Sequence, residues 1–118
     1  MAEYEWARLR ADELRKYSQD DTVVILPVAA LEQHGPHLPV MVDSRLVEEV
    51  SKRTASLGGD KGIPIITLPT VWHGLSEHHM PFGGTVTLTS NTFFLIVRDL
   101  IKSISRHGFS KFLILNGH

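Results

Sequence analysis

Three short apolar runs, separated by segments long enough to form helices, constrain this chain more than any other feature. The runs are TVVILPVAA at 22–30, IPIITLPTVW at 63–72 and KFLIL at 111–115. Each is rich in β-branched or large apolar residues and fits a buried strand. Pro64 and Pro69 confine the useful ladder of the second run mainly to the residues between them.

The segments between these runs predict helices. SRLVEEVSKRTASL follows Asp43 with apolar residues at helical spacing, and we expect Gly58-Gly59 to end it. NTFFLIVRDLIKSISRH predicts a second long helix, residues 5–17 predict a weaker one, and TVTLT (85–89) a short extra strand. The order strand–helix–strand–helix–strand therefore predicts the α/β class, with a mainly parallel sheet covered by helices on both faces.

Composition narrows the function classes. A chain of 118 residues with 42% apolar and 21% charged residues fits one small globular domain. A net charge of −1 without a basic stripe argues against nucleic acid, and no apolar run approaches the roughly 20 residues that span a bilayer. The charged N-terminus lacks the apolar stretch of a signal peptide, so we expect a cytoplasmic protein. Because cysteine is absent, a transition-metal site must use imidazole and carboxylate.

Polar side chains follow the carboxyl end of every predicted strand. Glu32 and His34 follow the first strand, Ser76 and His79 the second, and His118 the third. Since the carboxyl ends of parallel strands share one edge of the sheet, these residues should converge there. Glu32 and His34 are two apart and point the same way in an extended segment. For His79 we expect a place near the substrate.

Asp43 comes next, at the start of the predicted helix. A carboxylate can bridge two metals about 3.5–4 Å apart, and such a pair activates water, polarises a carbonyl and stabilises an oxyanion. Amide hydrolysis needs all three effects. The simpler interpretations are that Asp43 is only a helix N-cap and that Glu32 and His34 are solvated loop residues.

Three segments together resemble the creatininase (creatinine amidohydrolase) family: LPVAALEQHGPHLPVMVDSRLVEEV, GLSEHHMPFGGTVTL and FLILNGH. The resemblance implies four metal ligands, with the third of them bridging: Glu32, His34, Asp43 and His118. It also implies that Ser76 faces the substrate. A further carboxylate ligand of the family stands two positions beyond His118, outside these residues.

The resemblance implies a three-layer α/β/α fold, of which residues 1–118 are the N-terminal part of a single domain, and we expect a truncated chain that is inactive alone. It implies two divalent metals per site in the complete protein (Zn, Mn or Fe), with metal-activated water cleaving a carbon–nitrogen bond. The expected partners are a small-molecule amide substrate and further copies of the chain, in a homo-oligomer such as a hexamer. Neither nucleic acid nor membrane is expected.

Two enzyme activities and one non-catalytic role stay open as alternatives at this point. Within the family, the enzyme is a formamide deformylase or a peptide-trimming enzyme instead of a cyclic amidase. In another class, the chain is a non-catalytic metal-binding or assembly module. A phosphate-binding Rossmann domain is disfavoured, because Leu-Glu-Gln-His follows the first strand where a Gly-x-Gly-x-x-Gly turn would stand.

Overall fold

A computed structural model describes residues 2–118 as an α/β fold. The strands are β1 (Val23–Val28), β2 (Ile65–Thr67) and β3 (Lys111–Asn116). The helices are α1 (Ala11–Tyr17), α2 (Val42–Asp60) and α3 (Ser90–Ser105), with 3-10 turns at Trp6–Arg8 and Glu77–His79. None of the helices described is long and apolar enough to cross a bilayer.

The sheet is parallel, as predicted, with the strand order β2-β1-β3. Val23 in the central strand is in register with Ile65 on one side and Lys111 on the other. The ladder between β1 and β2 is short and ends at Thr67, before Pro69. Beyond this proline, Val71 forms a single bridge to Val28. The central β1 is buried from Val24 to Val28, as its apolar composition predicts.

Helices cover both faces of this sheet, which confirms the three-layer prediction. Val24, Leu26 and Val28 alternate along β1 and point to one face, where they belong to apolar clusters built with α1 and α3. The apolar side chains of α3 on this face are Phe93, Ile96, Val97, Leu100 and Ile101. On the opposite face α2 lies against all three strands and buries Val47, Ser51 and Ala55.

The end of α2 differs from the prediction. The helix continues through Gly58 and Gly59 to Asp60, and the positive φ of 75° that marks its exit belongs to Gly62. Gly58 instead permits a close helix–strand contact, because a Cβ there would lie 2.5 Å from Ile65 Cγ2. The need for glycine at position 58 is therefore explained by the packing of α2 on β2 and not by the end of the helix.

The N-terminal helix is shorter than predicted. Arg10 is extended, and its backbone N–H donates to Glu13 Oε2 at 2.8 Å, so α1 begins only at Ala11. The preceding residues form the separate 3-10 turn. Trp6 and Leu14 still pack on one apolar cluster beneath α3, as their spacing suggests.

The predicted extra strand at 85–89 is wrong. Val86 forms one antiparallel bridge with Leu31, and Thr87 forms one parallel bridge with Gly74. These bridges hold the segment against the loops that follow β1 and β2. The segment therefore packs against the carboxyl edge of the sheet and is not one of its strands.

Candidate metal centre

The predicted site residues converge at the carboxyl edge of the sheet. Glu32 follows β1, His118 follows β3, and Asp43 lies in the first turn of α2. Ligand atoms of these three residues all lie within 4.8 Å of one another. The structure therefore brings together side chains from three separate parts of the sequence, as the strand order predicts.

Close backbone packing places α2 beside the end of β3. A Cβ at Gly117 would lie 2.6 Å from Val47 Cβ and 3.0 Å from the Asp43 carbonyl oxygen, so only glycine fits without a shift. Ser44 Oγ donates to the Ala30 carbonyl at 2.8 Å and ties the same helix to the chain leaving β1. These contacts hold Asp43 next to Glu32 and His118.

Asp43 is not the N-cap of α2. The cap position is Met41, and it makes no side-chain cap. Instead Asp43 Oδ1 lies 3.3 Å from His34 Nε2, and Asp43 also belongs to the group with Glu32 and His118. Its carboxylate therefore stands between one imidazole and the Glu32–His118 pair, which is the arrangement that a bridging ligand requires.

In its neutral form, His34 presents a bare ring nitrogen to Asp43. Its Nδ1 lies 3.0 Å from the Glu32 carbonyl oxygen, and since that oxygen only accepts, the neutral ring carries its proton on Nδ1. The lone pair of Nε2 then faces Asp43 Oδ1, two acceptors with no proton between them. A cation between these atoms satisfies both, as in metal sites where a carbonyl fixes the second nitrogen of a histidine ligand.

The two carboxylates are buried, Glu32 at 3% and Asp43 at 8% relative exposure. Burial raises the pKa of Asp43, and the neighbouring Glu32 raises it further. Burial also acts to raise the pKa of Glu32, but Ser76, Asp43 and two histidines outweigh it and the pKa falls below its usual value. The pKa of His34 is raised by the Glu32 carbonyl and by Asp43.

The unpaired oxygen atoms show that these residues fit a metal ion. Glu32 Oε2 and Asp43 Oδ2 are buried, and neither has a hydrogen-bond partner among residues 2–118. Burying two acids side by side is costly unless a cation or proton compensates them. Two carboxylates with imidazoles at His34 and His118 form a donor set suited to zinc, manganese or iron. His118 Nε2 lies 3.4 Å from Glu32 Oε1, and its side chain is 66% exposed.

Ser76 lies beneath the site. It has no exposed surface, and its N–H donates to Thr87 Oγ1 at 2.9 Å. Its hydroxyl lies close enough to Glu32 to lower the pKa of that carboxyl, yet Ser76 Oγ forms no well-aligned hydrogen bond. Its expected contact with substrate stays a prediction.

His79 also lies beside Glu32, with Nε2 3.5 Å from Glu32 Oε2. Together with His78, these residues form a second group whose ligand atoms lie within 4.8 Å. Sequence reasoning missed Gln33, whose side-chain amide meets His79 Nδ1 at 2.8 Å. In an extended strand, alternation would point Gln33 away from Glu32, so no local signal indicates this contact.

A family model and several known proteins match this chain. The family model for creatininase, described as creatinine amidohydrolase, matches residues 7–118. The chain belongs to the creatininase family. Creatinine amidohydrolase of Pseudomonas putida is 35% identical over 103 residues, which cover 83% of this chain and 38% of that protein. The mycofactocin precursor peptide peptidase of Mycolicibacterium smegmatis is 32% identical over 97 residues, 81% of this chain and 39% of that protein.

Solved creatininase structures share the fold. A crystal structure of creatinine amidohydrolase superposes with a TM-score of 0.91 at 31% identity, covering 100% of this chain and 46% of that one. Two other matching creatininase structures, also 31% identical, are a manganese form and a Zn-Zn form of a mutant. The chain thus spans less than half the length of the relatives that it matches.

Proposed function

We propose that residues 1–118 form the N-terminal part of a metal-dependent amidohydrolase domain that cleaves a carbon–nitrogen bond in a small amide. The observation that carries this proposal is the buried Glu32–Asp43 pair beside His118 and His34, in which each carboxylate keeps one oxygen without a hydrogen-bond partner among residues 2–118. Family membership supports hydrolysis, and the manganese and Zn-Zn creatininases support a divalent metal.

The proposed ligands form two groups that share Asp43. Glu32, Asp43 and His118 would hold one ion, and Asp43 with His34 would contribute to a second. Bound there, divalent metal would supply Lewis-acid polarisation of the amide carbonyl and a lowered pKa for water. The chain itself fixes the tautomer of His34 through the Glu32 carbonyl and keeps the acids away from bulk water.

The substrate class is a small-molecule amide. The mycofactocin precursor peptide peptidase relative supports a peptide bond as a second candidate for the bond that is cleaved. Creatinine loss, formate release from formamides and trimming of short peptides separate these activities. The homo-oligomer and the cytoplasmic location remain predictions of the sequence.

Metal analysis tests the centre. We expect calorimetric titration with Zn²⁺ or Mn²⁺ to show metal binding by the wild-type chain. Glu32→Gln and His34→Ala should each weaken the metal affinity by more than about 100-fold, because even the loss of an outer partner of a ligand weakens it 10–100-fold. Glu49→Gln is the matched control, because Glu49 pairs with Arg45 and Arg53 on the exposed side of α2. Equal affinity in wild type and Glu32→Gln would contradict the proposal. Metal binding with no turnover by any longer chain containing these residues would favour the non-catalytic module.

A further inference from the structure

We infer that Gln33 and His79 act together as a positioning pair that orients the Glu32 carboxylate, and that His79 is not itself a metal ligand. This inference rests on the proposed function, since it assigns a purpose to the orientation of a proposed ligand. It concerns the second group of ligand-type side chains, which Glu32 forms with His78 and His79.

The orientation of the Gln33 amide is set by the backbone. The N–H of Gly35 donates to Gln33 Oε1 at 2.9 Å, and because a backbone N–H can only donate, the oxygen end of the amide must face it. The NH₂ end is thereby turned toward His79 Nδ1, 2.8 Å away. The backbone N–H of Gln33 donates to Thr85 Oγ1 at 3.1 Å and anchors the same residue to the 85–87 segment.

The amide in turn fixes the tautomer of His79. An NH₂ group offers only protons, so Nδ1 of His79 accepts and the neutral ring carries its hydrogen on Nε2. That N–H is 3.5 Å from Glu32 Oε2, a buried oxygen without a well-aligned hydrogen-bond partner among residues 2–118. The contact is longer than an ordinary hydrogen bond, but it joins a donor to an acceptor and is attractive.

The two oxygens of Glu32 are therefore used differently. Oε2 faces the His79 N–H, whereas Oε1 faces His118 Nε2 at 3.4 Å. A carboxylate held at one oxygen by a donor presents the other in a fixed direction, as outer partners of metal ligands commonly arrange. With Nδ1 bonded to Gln33 and Nε2 protonated, His79 has no lone pair free for a metal.

Nuclear magnetic resonance of the ¹⁵N-labelled 118-residue chain tests the tautomer. Long-range ¹H–¹⁵N correlations for His79, assigned by their loss in His79→Gln, should show a protonated Nε2 and a bare Nδ1. We expect this pattern to persist when Zn²⁺ is added. A proton on Nδ1, or loss of the Nε2 proton on zinc binding, would overturn the inference and make His79 a direct ligand.

Zinc affinity tests the positioning role. We expect His79→Leu to weaken Zn²⁺ binding by about tenfold, the lower end of the effect of removing an outer partner of a ligand. His79→Gln should restore most of this loss, because its amide keeps an N–H donor toward Glu32. His107→Leu removes an exposed imidazole at the end of α3 and should leave the affinity unchanged.

A double-mutant cycle tests whether Gln33 acts through His79. Gln33→Ala should weaken Zn²⁺ binding in the wild-type background and have no further effect in the His79→Leu background. The reason is that substitutions of two residues in contact do not have additive effects when one residue acts through the other. Equal effects in both backgrounds, or an unchanged affinity in His79→Leu, would contradict the pair. Absence of zinc binding by the wild-type chain with the Nε2–H tautomer intact would instead contradict the proposed metal centre and support the hydrogen-bond arrangement.

Discussion

At the residue scale, the neighbourhood of Asp43 combines attraction and repulsion. In the metal-free chain the raised pKa of His34 favours a proton on Nε2, 3.3 Å from Asp43 Oδ1, and this proton makes the contact attractive. Burial and the neighbouring Glu32 carboxylate oppose the charge on Asp43 and raise its pKa. Asp43 Oδ2 is buried and accepts no hydrogen bond from the residues that the structure describes. Without a cation these effects oppose one another, so this side chain contributes little to the stability of the metal-free fold.

The first prediction is that Asp43→Asn separates metal binding from stability. We expect zinc affinity to fall by more than about 100-fold, because the exchange removes a ligand and not merely an outer partner. Urea unfolding in the presence of a chelator should change by less than about 1 kcal/mol, since repulsion by Glu32 and attraction to His34 are lost together. Asp99→Asn, at an exposed position of α3, is the control for charge. A loss of several kcal/mol with unchanged affinity would show that the carboxylate is structural.

At the element scale, two adjacent glycines of α2 have opposite environments. A Cβ at Gly58 would lie 2.5 Å from Ile65 Cγ2, whereas a Cβ at Gly59 would meet nothing within 4 Å. Both residues lie within the helix, where alanine is intrinsically favoured over glycine. The pair therefore separates helix propensity from packing.

The second prediction follows from this contrast. Gly59→Ala should raise the free energy of unfolding by about 0.5–1 kcal/mol, through the reduced entropy of the unfolded chain and higher helix propensity. Gly58→Ala should lower it by about 1–3 kcal/mol, because the added methyl group displaces the helix from β2. Denaturant unfolding of the metal-free chain measures both. If the two substitutions stabilise equally, the close packing of α2 on β2 is wrong.

At the scale of the whole molecule, β3 is an edge strand with exposed apolar side chains. Within the part of the chain that the structure describes, only β1 pairs with it, and Leu113 and Ile114 are 41% and 49% exposed. Phe94 of α3 is also exposed. Open strand edges with apolar side chains are templates for pairing between chains.

The third prediction is that residues 1–118 self-associate in solution and that Ile114→Lys increases the monomer fraction. A charge on an edge strand opposes both apolar contact and strand addition. Sedimentation over a range of concentrations measures the effect. Lys102→Arg, on the exposed side of α3, serves as a charge-neutral control. A wild-type chain that stays monomeric at high concentration would contradict this prediction.

The fourth prediction concerns activity. We expect residues 1–118 alone to turn over neither creatinine nor formamides, while a longer chain containing them shows turnover that a chelator abolishes. The reason is that the family resemblance implies a further carboxylate ligand beyond His118, and the matched relatives are more than twice as long. Metal-dependent turnover by purified residues 1–118 would refute the expectation.

The sequence by itself determined the order of strands and helices and the edge at which the polar residues meet. Apolar runs such as that of β1 specify a buried parallel strand, and polar residues after parallel strands must share an edge, so Glu32 and His118 were predictable together. That inference needs only local periodicity and chain order.

Only the tertiary structure decided which atoms face one another. The role of Gly58 depends on Ile65, and the orientation of Gln33 depends on the Gly35 backbone and on His79 from a distant loop. The same holds for Asp43, which sequence allowed as a helix cap and packing turned toward His34. Such contacts depend on side-chain rotamers and on distances between separate elements, which periodicity along one chain does not encode.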